Sequence, residues 1–357
     1  MRLKINEKLA EAAVLGGAFF GGGGGGDLEY GLRHAKLAIE LGDVIIVDID
    51  NVPRDSLIVT ASMVGAPAAK EKYLMPSHMI KSTELLIEIE KMEIGGIISS
   101  ENGGYSTING WIQSAILGIP IIDAPADGRA HPTGIMGAMG LHKLPEYISI
   151  QAAVGGNKGS GRYIELFVKG NLERTSRMVR EAAVQAGGLV AVTRNPISPE
   201  YVKENAAVGG ITQAIEVGKI IQAYKNDVEG MIDKVLKYLG GKFIDYGIVK
   251  DRTLETRGGF DIGSILIEGD IGDMYEITFW NEYMTLESDK RRLGTFPDLI
   301  VTINVKNSLP LSSAEIRKGQ EVAILVVPKE KLLLGAGVKD PDVLKQVEMT
   351  IGKKMVG

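Results

Sequence analysis

Between residues 44 and 152 the apolar positions come mainly in short unbroken runs. Residues 44–48, 57–61, 96–99, 120–123 and 147–152 read as strands, several of them rich in Ile and Val without polar alternation, as strands buried on both faces require. Helical spacing covers 29–41, 82–92, 109–117, 172–186, 198–205, 211–223 and 227–239, with Gly240-Gly241 as a C-terminal stop. Strand and helix alternate, which predicts an α/β layer with a mostly parallel sheet. From residue 242 the period changes. Runs at 242–249, 253–256, 264–267, 274–281, 299–304 and 321–326 are short, strand-like and punctuated by Asp, Gly and Pro, which predicts an antiparallel barrel or sandwich. A last helix is expected at 341–347. The expected division is therefore an α/β domain over 1–241, rejoined by 336–357, and a β-rich domain over 242–335.

One segment fits neither period. Six glycines occupy 21–26, between the apolar run 12–20 and the helical spacing that starts near Glu29, with Asp27 closing the run. A flexible linker would be longer and polar. Glycine is needed where φ is positive or where another group approaches closely. A glycine turn feeding a helix also offers unpaired N–H groups. Gly22, Gly23, Gly24, Gly25, Gly26 and Asp27 are thus candidate ligand contacts; the competing reading is a tight turn at which two elements cross. No Lys-Ser/Thr follows, so this is no P-loop, and Asp27 would repel a phosphate. No nucleotide is expected, and a neutral or cationic ligand or a metal fits better.

Composition narrows the classes. With 357 residues, 45% of them apolar, and a net charge of −5, the chain can bury a large core and has no basic run for nucleic acid. It contains no cysteine, which excludes disulfides, thiolate metal sites and a thiol nucleophile. No stretch has the length or apolarity of a membrane span or secretory signal, so a cytoplasmic protein without a membrane partner is expected.

The densest polar chemistry follows two expected strands, where α/β sheets place their ligand crevice. The first stretch carries Glu101 and Ser106; the second carries Asp123, Asp127, Arg129 and His131. Pro125, Gly128 and Pro132 rule out a helix there, so the spacing of four is no metal signature. Two carboxylates, an imidazole and a guanidinium suffice for general-base activation of water with Arg129 at an oxyanion, or for one hard metal ion. A turn cap at Asp123, an Asp127–Arg129 ion pair and a packing His131 would be the structural reading. Asn281 and Glu282, flanked by Trp280 and Tyr283, could reach the cleft from the β-rich region, though turn chemistry explains them equally. Glu71, after Gly65-Ala66-Pro67, is a similar case.

Taken in order, the glycine block with Asp27, Gly65-Ala66-Pro67 with Glu71, Glu101-x-Gly103-Gly104, Gly118-Ile119-Pro120 running to Asp123, Gly128-Arg129-Ala130 with Pro132, Asn281-Glu282 and Pro297-Asp298-Leu299-Ile300 resemble the S-methyl thiohydantoin desulfurase-like family, formerly a domain of unknown function. The resemblance implies a three-layer α/β/α N-terminal domain, a β-barrel-like C-terminal domain and a link to hydantoin- and oxoprolinase-type catabolism, in which one member hydrolyses an S-methylated thiohydantoin ring. The family pattern has Asn at Ser106, Asp at Pro125, an apolar residue at Asp127, Phe at His131 and an acid at Thr133. The leading expectation is a hydrolase of a small cyclic amide or thiohydantoin-like ring, with Asp127 or His131 as base and Arg129 as stabiliser. A non-catalytic subunit of a hydantoinase- or oxoprolinase-like complex is the alternative, and a lyase or isomerase using the same carboxylates a third. A small-molecule substrate and self-association into a homo-oligomer are expected; a divalent metal is left open.

Overall fold

The computed structural model describes residues 2–66, 69–270, 272–289 and 291–355; Pro67 of the Gly65-Ala66-Pro67 motif lies outside them. Among the described residues the strands form two eight-stranded sheets. The first contains β1 (Arg2–Lys4), β2 (Ile45–Val47), β3 (Leu57–Gly65), β4 (Ile94–Ser99), β5 (Ile121–Ile122), β6 (Ser149–Gly155), β7 (Ile164–Gly170) and β8 (Leu189–Ile197), in the order β1-β2-β5-β4-β3-β8-β6-β7. Only β2, β5, β4 and β3 run parallel; β1 and the β3-β8-β6-β7 half pair antiparallel. The sheet is therefore mixed, not mostly parallel. The parallel half is where the Ile/Val runs were continuous.

Helices are α1 (Glu7–Phe20), α2 (Leu28–Leu41), α3 (Pro76–Glu90), α4 (Trp111–Leu117), α5 (Leu172–Gln185), α6 (Pro199–Asn205), α7 (Gly210–Ala223), α8 (Val228–Leu239) and α9 (Pro341–Ile351). Strand alternation sends Val59, Ala61, Ala152 and Ala191 toward α1 to α4, and Ile58, Val64, Ala153, Val190 and Val192 toward α5 and α6. Both faces are covered. The apolar run before the glycines is helix α1, buried nearly all round, which is why it shows no amphipathic stripe. It crosses α7 at backbone contact: a Cβ on Gly16 would stand 1.7 Å from Ala214 O, and one on Gly218 1.8 Å from Ala12 O.

The second sheet holds β9 (Lys242–Arg257), β10 (Phe260–Gly269), β11 (Met274–Trp280), β12 (Glu282–Ser288), β13 (Arg291–Thr295), β14 (Leu299–Asn304), β15 (Pro310–Leu311) and β16 (Glu321–Val327), all antiparallel. It curls until Tyr283 Oη meets Thr302 Oγ1 at 2.9 Å. The ladder stays open, because β13 and β15 are the two ends of the strand order. A barrel in the strict sense is not formed. Leu299, Val301, Leu325 and Val327 turn one face toward α7 and α8, while Ile300, Ile324 and Val326 fill the inside of the curl. Helix α9 packs its Val343, Leu344 and Val347 with Trp280, Met284 and Phe296 of the second half and with Met136 from the loop after β5, and Asp340 at its N-terminus pairs with His142 Nε2 at 2.6 Å. The C-terminal segment therefore touches both halves of the chain. No helix among the described residues is long and apolar enough to cross a membrane.

Candidate functional site

The glycine block is the turn between α1 and α2, wedged between the two sheets. Gly22, Gly23, Gly25 and Gly26 all have positive φ. Gly22 O accepts from Tyr283 N at 2.7 Å, and Gly25 O accepts from Tyr105 N and Ser106 N at 2.9 and 3.0 Å. A Cβ on Gly24 would lie 2.1 Å from Glu282 Oε1, and one on Gly25 2.4 Å from Gly103 Cα. Gly22, Gly23 and Gly24 therefore serve the packing of the second sheet against the first. Gly25, Gly26 and Asp27 reach the wall of a cavity of about 480 Å³ that opens beside them. Asp27 also caps α2, accepting from Tyr30 N at 2.6 Å.

That cavity collects side chains from both halves of the chain. Glu101, Ser106 and His131 line it from loops after β4 and β5; Arg180 and Arg194 line it from α5 and β8; Asn281 and Glu282 line it from the β11–β12 turn. Ser106 Oγ is 2.7 Å from Glu101 Oε1, and His131 N donates to Glu101 Oε2 at 3.1 Å. His131 Nε2 stands 3.3 Å from both Glu101 Oε2 and Ser100 O. Both neighbours are acceptors, so Nε2 carries the hydrogen and Nδ1, which has no partner, is the basic nitrogen. Burial lowers the His131 pKa and keeps the ring neutral, although Glu101 works against that. Burial and the nearby Glu101 push the Glu282 carboxyl well above the usual carboxylate range, with Arg129 opposing them. Asn281 adopts φ 56°, and its Oδ1 accepts from Asp261 N at 2.9 Å, which fixes the turn that presents Glu282.

Other expected site residues stand elsewhere. Asp123 caps α7, accepting from Ile211 N at 2.8 Å and Thr212 N at 3.1 Å. Asp127 is fully buried and accepts from Gly335 N at 2.8 Å; burial pushes its pKa up to about 8. Arg129 is fully buried too, donating to Ala130 O at 3.1 Å, to Pro297 O at 3.2 Å and to Asp298 O, with its guanidinium 4.4 Å from the Phe296 ring. Neither Asp127 nor Arg129 is on the cavity wall. Arg129 ties the first half of the chain to the second. Glu71 is exposed and pairs with Arg162 at 2.7 Å. Among the described residues no group of three His, Asp or Glu is arranged to hold a metal ion.

Residues 9–160 match the S-Me-THD-like, N-terminal domain, and residues 170–336 match the S-Me-THD-like, C-terminal domain. The chain belongs to the S-Me-THD-like family. A crystal structure of a protein from Chromobacterium violaceum shares its fold over 99% of this chain and 98% of that one, with a TM-score of 0.76 at 20% identity. No curated protein matches the chain. Ser106, His131 and Thr133 line the cavity, whereas Pro125 and Asp127 do not. Arg180 and Arg194 on the cavity wall were not anticipated. The available signal was Arg194 itself, a charge at the inward parity of Val190 and Val192 in a run that reads as a buried strand once it is recognised.

Proposed function

We propose that the chain hydrolyses a small cyclic amide or thiohydantoin/hydantoin-like ring in this cavity. One observation carries the reading: His131, whose pKa burial lowers, and Glu282, whose pKa burial raises, share a wall with Glu101. An unprotonated nitrogen without a hydrogen-bond partner as base and an acid able to give a proton are what addition of water to a polarised ring carbon needs. Glu101 orients the imidazole through the 3.3 Å contact to Nε2 and stabilises the imidazolium once it forms. Glu282 delivers its proton to the departing heteroatom. Asp127 and Arg129, bonded away from the cavity, support the scaffold instead of the reaction.

Turnover of hydantoins, S-methylated thiohydantoins and lactams by the purified protein, with and without divalent metals, tests the proposal. His131→Phe and Glu101→Gln are each expected to lower kcat about 10²-fold or more, the usual scale of general acid–base catalysis. An unchanged rate in His131→Phe would reject the imidazole as the base. Absence of turnover on every ring class would favour the non-catalytic subunit.

A further inference from the structure

Arg129 and Arg194 are buried in this fold and Arg180 is half-buried; Arg129 and Arg180 are held by backbone carbonyls, although Arg129 Nη2 has no hydrogen-bond partner. Arg129 donates to Ala130 O, Pro297 O and Asp298 O. Arg180 donates to Gly65 O at 3.1 Å, Gly259 O at 2.9 Å and Pro132 O at 3.2 Å, and lies 4.1 Å from the Phe260 ring. Arg194 differs. It is 3% exposed, its Nε is sealed from solvent without a partner, and among the described residues its guanidinium makes no hydrogen bond or ion pair. Burial of this charge is opposed only by the attraction of Glu101, with no hydrogen bond to take up its donors, and arginine does not escape by losing its proton at neutral pH.

The surroundings make room for a missing acceptor. Arg194 stands in the middle of β8, opposite Thr60 of β3 and Gln151 of β6, on the parity that faces α5. The loop above it carries Gly134, where a Cβ would come within 2.7 Å of Arg194 Nη1, so glycine keeps that approach clear. Both residues line the cavity. The wall as a whole carries the cations Arg33, Lys72, Arg180 and Arg194 against the acids Asp27, Glu101 and Glu282, the last with its pKa raised by burial. That balance favours an anion. Asp27 taken alone points to a neutral or cationic ligand or a metal.

We infer that Arg194 is the specificity-determining anchor of the cavity and that it pairs with a carboxylate carried on a side arm of the ring substrate. The planar fork of donors matches a carboxylate in bidentate fashion, and the pairing would satisfy a group the protein leaves unpaired. With the arm held at Arg194, the ring lies between that residue and the wall of Glu101, His131 and Glu282. The inference rests on the hydrolase reading for the ring but not for the anion.

Calorimetric titration of the full-length protein with hydantoin-5-acetic acid and with its neutral primary amide tests it. The wild type is expected to bind the acid at least about 10-fold more tightly than the amide, in line with a charge-assisted bond. Arg194→Gln, checked for folding by circular dichroism, is expected to lose about 10²-fold in affinity for the acid and little for the amide, with Arg194→Lys intermediate. Equal binding of acid and amide by the wild type, no binding of the acid, or full retention of its affinity in Arg194→Gln would overturn the inference. If Arg194→Gln does not fold, the wild-type comparison of acid with amide decides alone. Arg194-dependent binding without turnover keeps the anchor and rejects hydrolysis; turnover of neutral rings without preference for the acid does the reverse.

Discussion

Gly25→Ala is expected to cost the protein its fold, by about 3 kcal/mol or more, and not merely its ligand. Two penalties meet at this residue. Its φ of 74° is one that a residue bearing a Cβ adopts only under strain. The added methyl would also stand 2.4 Å from Gly103 Cα, a backbone atom that cannot rotate away. The carbonyl of the same residue is pinned by Tyr105 N and Ser106 N, so the turn cannot slide outward without breaking two buried bonds. Urea denaturation followed by circular dichroism measures the loss. A variant that unfolds at the wild-type midpoint yet fails to bind would show that the glycine serves ligand contact alone. Because Gly25 also lines the cavity, its effect on folding decides between the two readings of the glycine run.

The sequence made the doubly buried strands legible because their runs have no polar face: 96–99 falls inside β4 and 299–304 is β14. It hid α1 for the converse reason. A helix buried on nearly every side has no stripe, and glycines that permit backbone contact with α7 read as interruptions. β12 was missed because Asn281-Glu282 looked like turn chemistry, and the turn is indeed there, with a strand following at once. At the site, Glu101, Ser106 and His131 were recoverable from their place after expected strands. Asp127 and Arg129 come from the same loop, and nothing in the order of residues tells a side chain directed at a cavity from one directed at a backbone carbonyl. That distinction arises from the second sheet, whose Pro297 and Asp298 carbonyls supply the acceptors for Arg129 from far along the chain.

Asp127 provides the sharpest check on that distinction, through the pH dependence of stability. Its side chain is fully buried, with Oδ1 bonded to Gly335 N and Oδ2 without a partner, and burial pushes its pKa up to about 8. In the unfolded chain the same group ionises near pH 4. Between these values the unfolded state releases a proton that the folded state keeps, so folding loses stability as pH rises, by up to about 1.4 kcal/mol per unit. Below pH 4 both states are protonated and the penalty vanishes; above about 8 both are ionised and it levels off. Asp127→Asn keeps an acceptor for Gly335 N and has nothing to ionise. Any cost of fitting its amide is independent of pH. The stability of Asp127→Asn relative to wild type is therefore expected to climb by about 1 kcal/mol per unit from pH 4 to 8 and then flatten. Titrations elsewhere in the chain cancel in the difference, so chemical denaturation of the two proteins at pH 5, 6, 7, 8 and 9 isolates this one group. Curves that stay parallel would mean that Asp127 is ionised in the folded protein at neutral pH, and would return it to the candidates for the catalytic base.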